Sequence, residues 1–108
     1  MSLDVYLNCE HCSSSLFSAN VTHNLNDMAG EAGIYQHLWR PEEVEIEYAK
    51  QLIEPLWNGI KLLRADPDRF KKFNPSNGWG NYDIFVSFVK SYLDACVDNP
   101  EAAVSVWR

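Results

Sequence analysis

An α+β domain with a small antiparallel sheet, in the order β-β-α-α-α-β, is what this chain predicts, and three patterns predict it. Apolar and polar residues alternate in two short stretches at the start and one at the end. Between them apolar residues recur every three to four positions, the period of a half-buried helix. Pro, Gly and Asn then cluster where one period gives way to the next. Helices packed on one face of the sheet would close the core of a single domain over residues 1–108.

The elements follow in order. Leu3, Val5 and Leu7 face one way and Asp4, Tyr6 and Asn8 the other, which predicts a half-buried strand over 3–8. The small polar run 9–15 predicts a hairpin loop. Alternation resumes over 16–23, with Phe17, Ala19 and Val21 on the core side and His23 where that face ends. Asn24 is expected to cap a short helix from Leu25 to about Ala32, with Asp27 in its first turn and Gly33 as its stop. Ile34, Tyr35, Leu38 and Trp39 read as an apolar connector.

Pro41 then opens a long helix, with Glu42 and Glu43 in its first turn. Its stripe is Val44, Tyr48, Ala49, Leu52, Ile53, Leu56, Ile60 and Leu63, and Pro55 predicts a kink near residues 51–53. Asp66-Pro67 starts a short helical segment to Phe73, and 74–80 is a turn-rich loop. The last helix carries Tyr82, Phe85, Val89, Tyr92, Leu93 and Cys96 on one face until Asn99-Pro100 stops it. Ala103 to Trp107 adds a strand, with Val104 and Val106 inward.

Composition narrows the function classes. With 46% hydrophobic and 13% aromatic residues, the chain can bury a core without staples. Its net charge of -6 repels phosphate backbones, so no nucleic-acid partner is expected. The basic cluster Arg64, Arg69, Lys71 and Lys72 is interleaved with Asp66 and Asp68. No apolar run approaches the ~18 residues of a span, so no membrane partner is expected either. MSLDVYL lacks a basic stretch followed by an apolar one, which makes a cytoplasmic location the expectation. Three cysteines are an odd number, which argues against a secreted disulfide framework, and Cys96 reads as a buried thiol.

Four short segments carry chemistry. Cys9-Glu10-His11-Cys12 has the spacing of half a zinc site, which His23 and Cys96 would have to complete, and a plain loop is the better reading. No metal, cofactor or catalytic residue is assigned. His23-Asn24 stands at a strand-to-helix junction, either as a titrating ring beside unpaired helix N–H groups or as a locally satisfied histidine and a cap. Trp39-Arg40 sets an aromatic face and a forked cation before the next helix start; Arg40 suits a phosphate or carboxylate, or a structural pair with Glu43. Asn77, Trp79 and Tyr82 frame a double-glycine loop that presents an indole, or uses it as a lid on the core. Should these junctions converge, His23, Asn24, Trp39, Arg40, Asn77, Trp79 and Tyr82 make a pocket for a small anionic, ring-containing ligand such as a nucleotide.

The segment VTHNLNDMAGEAGIYQHLWRPEE, followed by NPSNGWGNY, resembles a small family of uncharacterised bacterial and phage proteins, over residues 3–108. The resemblance implies no activity. Its phage connection implies a part in phage–host conflict, such as sequestering a signalling nucleotide or blocking a host protein. A non-enzymatic ligand binder is the leading expectation. The alternative is an acidic interaction module, or an inhibitor of a host protein, using the stretch 42–47. An enzyme with His23 as general base lacks a recognisable nucleophile or phosphate loop. The exposed edges of so small a sheet also allow a homo-oligomer.

Overall fold

The alternation at the two ends of the chain becomes one antiparallel sheet. The computed structural model describes residues 2–9, 15–76, 78 and 80–108. Strands β1 (Ser2–Asn8), β2 (Ser15–Thr22) and β3 (Ala103–Trp107) lie in the order β2-β1-β3. The first strand is therefore central: Asp4 pairs with Asn20 on one side and Trp107 on the other, and Tyr6 with Ser18 and Ser105. Leu3, Val5 and Leu7 are fully buried on the inner face, and Phe17, Ala19, Val21, Val104 and Val106 join that face from the flanking strands. Residues 10–14, in the expected hairpin loop, fall outside the described residues.

The helices cover this inner face, as the fold class requires. They are α1 (Asn26–Glu31), α2 (Tyr35–Trp39), α3 (Lys50–Ala65), α4 (Pro67–Lys71) and α5 (Tyr82–Asp98), with 3-10 turns at His23–Leu25 and Pro41–Val44. α3 packs along α5, and α5 lies against β2. Leu52, Leu56, Ile60 and Leu63 of α3 meet Phe85, Val89, Tyr92, Leu93 and Cys96 of α5 in one core with the strands. Of the stripes read from the sequence, Ala49, Leu52, Leu56, Ile60 and Leu63 and all six residues of the last helix are buried, while Val44, Tyr48 and Ile53 are half-buried.

Local chemistry explains the boundaries. Gly33 stops α1 at φ 77°, with its N–H on the Gly30 carbonyl and the Ile34 N–H on the Ala29 carbonyl, a double bond pattern that a left-handed residue completes. Asp66 accepts from the Arg69 N–H at 3.4 Å to open α4, and Asn81 accepts from the Ile84 N–H at 2.9 Å to open α5.

Three expectations need correction. Asn24 is not the cap: the Thr22 hydroxyl accepts from the Asn24 N–H at 3.3 Å, because a 3-10 turn forms directly from the strand end and uses the threonine there. The apolar connector is itself helical, as α2. The long helix does not begin at Pro41: the 3-10 turn ends at Glu45, in the left-handed region at φ 58°. Residues 47–49 then run beside the end of α5 and β3, with Val104 N–H on the Glu47 carbonyl and Ala49 N–H on the Ala102 carbonyl, each at 2.9 Å. Gln51 secures the break, its Oε1 accepting from the Glu47 and Tyr48 N–H groups while its Nε2 donates to the Glu45 carbonyl. Beyond that break α3 runs continuously from Lys50 to Ala65 with Pro55 in its second turn.

Candidate functional site

Where β2 passes into the first 3-10 turn, His23 is half-buried and its ring is held by Trp39. The Trp39 Nε1–H donates to His23 Nδ1 at 2.9 Å, with the rings 6.3 Å apart and tilted by 41°. An Nδ1 that accepts puts the proton of the neutral ring on Nε2, so this bond sets both tautomer and orientation. Trp39 is 3% exposed and stacks on Tyr35 at 5.5 Å and 14°. Its carbonyl accepts from Arg108 Nη1 at 2.9 Å, and the same nitrogen reaches Glu42. The end of β3 is thereby tied to the junction between α2 and the second 3-10 turn.

Arg40 follows Trp39 and turns outward, with its side chain 44% exposed. It lines a groove of about 460 Å³ together with Gly30, Gly33, Tyr35, Gln36 and Glu43. Glu43 Oε2 stands 3.6 Å from the guanidinium, a loose surface pair of small worth. A hydrogen bond with the Tyr35 side chain, then the charges of Tyr35 and Glu43, raise an already high Arg40 pKa, so the groove holds a permanent cation. Gln36 Nε2 donates to Glu43 Oε1 at 3.4 Å. Tyr35, Gln36 and Gly33 were not read from the sequence as site residues; the helix-stopping glycine two residues before an aromatic was the one available signal.

The double-glycine loop reaches the same neighbourhood from another direction. A Cβ on Gly80 would stand 2.7 Å from Thr22 Cγ2 and 3.1 Å from Leu25 Cδ1, so Gly80 lies directly on the 3-10 turn that carries His23. Asn77 and Trp79 fall outside the described residues. Tyr82 points the other way: it is 8% exposed, and its hydroxyl donates to the Leu63 carbonyl at 2.7 Å. Burial raises the Tyr82 pKa, and Lys71 lies over its ring at 5.6 Å. That hydroxyl is committed to joining α3 and α5. Asn24 is exposed on the 3-10 turn, with its N–H on Thr22.

The residues expected to share one pocket thus divide. His23, Trp39 and Arg40 form a contiguous unit with Tyr35, Gly80 abuts that unit through Thr22, and Tyr82 belongs to the interior. Of the half zinc site, Cys9 is disulfide-bonded, while Glu10, His11 and Cys12 fall outside the described residues. Among the described residues no group of three or more His, Cys, Asp or Glu side chains could hold a metal ion. Cys96 is fully buried and its thiol is pushed up to about 12 by that burial. Among the described residues, no helix is long and apolar enough to cross a membrane.

A second hollow of about 540 Å³ opens at the other end of the sheet, lined in part by Leu16, Tyr48, Lys50 and Glu101. Lys50 and Glu101 pair across it at 3.5 Å, and both are more than half exposed. Against family models, curated proteins and solved structures alike, the chain has no match, so the site is read from its own geometry.

Proposed function

We propose that the protein is a non-enzymatic binder of a small anionic, ring-containing ligand, taken into the groove beside Arg40. One observation carries this reading: an exposed guanidinium and a stacked aromatic, Tyr35, line the same groove, together with Gln36. A forked cation suits a phosphate or carboxylate in bidentate fashion, and an aromatic wall suits a ring. His23 supports the unit by holding Trp39, against which Tyr35 stacks. Tyr82 leaves the ligand set because its hydroxyl is engaged inside the core. Holding a ligand without turning it over fits sequestration of a signalling nucleotide, the role that the phage resemblance implies.

A nucleotide panel tests this by thermal shift. A ligand at 100 times its dissociation constant adds about 2.7 kcal/mol of stability, a readily measured rise in Tm. Arg40→Ala should abolish the shift while leaving the unliganded Tm nearly unchanged, since the residue it removes is exposed and loosely paired. No shift with any cyclic nucleotide, dinucleotide or ADP-ribose derivative sinks the reading. So does a shift that survives Arg40→Ala. The reading as an acidic interaction module draws on Glu45 and Glu47, exposed residues for which the described ion pairs provide no cation.

A further inference from the structure

We propose that the outer edge of β2 is a self-association surface, along which two copies of this chain join their sheets antiparallel about a two-fold axis. The two edges of the sheet are not equivalent. Beside β3 runs the segment 47–49, which pairs Tyr48 with Ala103 and takes the Val104 N–H on the Glu47 carbonyl. That edge is partly covered by the chain itself. Among the described residues, β2 has β1 as its only strand partner, and no other backbone bond reaches it. Alternate residues of such an edge aim N–H and C=O groups away from the sheet, and another strand is what satisfies them in register.

The sequence of this edge favours a second copy of itself. SLFSANVT is eight residues long and contains neither proline nor any ionisable side chain. Lysine, proline, brevity and bulges are the usual devices that keep an edge single; β2 has no lysine, proline or shortness, and its one irregularity is the register shift at its Ser15 end, which leaves residues 17–22 in regular register. At a net charge of -6, two copies repel over most of their surface, yet two β2 edges bring no like charges opposite each other. Ser15, Leu16, Ser18 and Asn20 are exposed, so no side chain need move out of the core for pairing. Antiparallel pairing of a strand with its own copy is isologous: it uses each β2 edge once and closes. With the β3 edge partly covered, the assembly stops at two chains, with the helices of both on the same side of one continuous sheet.

Light scattering after size exclusion, over a range of concentrations, should give twice the chain mass. Ser18→Lys places like charges near the middle of the joint and should return the protein to a monomer with an unchanged circular dichroism spectrum. A nitroxide on Ser18→Cys reads the geometry independently, because neighbouring strands lie only ~5 Å apart and the two labels must be close. A monomer at every concentration, a dimer indifferent to Ser18→Lys, or labels too far apart for adjacent strands would each overturn the proposal. If Ser18→Lys fails to fold, the label separation decides. None of these readouts depends on a ligand, so this proposal and the groove reading stand or fall separately.

Discussion

Tyr82 and Tyr92, both hidden on α5, differ in what their hydroxyls find. Tyr82 donates to the Leu63 carbonyl at 2.7 Å. Tyr92 is fully buried, stacked on Phe17 at 5.9 Å, and its hydroxyl has no hydrogen-bond partner among the described residues. Removing a satisfied hydroxyl loses the bond and strands its acceptor, whereas removing an unsatisfied one relieves a desolvation cost. Tyr82→Phe should therefore cost about 1–2 kcal/mol in urea unfolding, and Tyr92→Phe should be neutral or stabilising. Equal losses from the two would contradict this account. Nothing in the sequence separates these residues: each falls on the apolar stripe, and the partner that distinguishes Tyr82 lies on another helix. For the same reason Tyr82 looked like a ligand contact when it is a bridge between α3 and α5.

Between residues 44 and 50, helical period and helical structure part company. Val44, Tyr48, Ala49 and Leu52 keep the spacing of a stripe, yet the backbone leaves the helix at Glu45 and pairs residues 47–49 with 102–104. A helix would satisfy those donors equally well; the segment instead finds its acceptors on a stretch that is distant in the chain and adjacent in space. Glu45 bears the strain of the turn, since a left-handed residue with a Cβ costs roughly 1–2 kcal/mol. Glycine removes most of that cost but loses more entropy on folding. Glu45→Gly should consequently raise stability by about 0.5–1 kcal/mol, read as a higher urea midpoint at unchanged slope. A lower midpoint would show that the Glu45 side chain contributes something the turn geometry does not reveal. Caps fared better than helix lengths: Asp66 and Gly33 act where the sequence placed them, because capping is decided within a few residues.

For the whole molecule, His37 links stability to pH. It is half-buried on α2, its Nδ1 has no partner among the described residues, and burial lowers its pKa from the ordinary 6.5. The folded state then takes up a proton less readily than the unfolded chain, so protonation favours unfolding. Stability should be level above pH 6.5, fall as the pH drops below it, and level off again below the folded pKa. Glu42 acts in a lower window: its hydrogen bond from Arg108 holds its pKa below 4.5, a contribution present above that pH and lost beneath it. Tm measured from pH 8 down to 5 should show the first decline, and His37→Phe should flatten it. A decline that persists in His37→Phe would assign it to another group.

What the sequence determined alone is what short-range chemistry decides: strand against helix over most of the chain, the buried face of most elements, and some of the stops and starts, such as Gly33 and Asp66. Leu3, Val5 and Leu7 could be read as inward before any fold was known, since alternation fixes their side of the pleat. Tertiary structure decided which elements became neighbours. It made β1 central by returning β3 to it, bonded Trp39 to His23, and set Arg40 in a groove with Tyr35 while enclosing Tyr82. Those outcomes depend on contacts between segments far apart in the chain, whose gain must exceed the entropy of bringing them together. A local pattern carries no record of that balance.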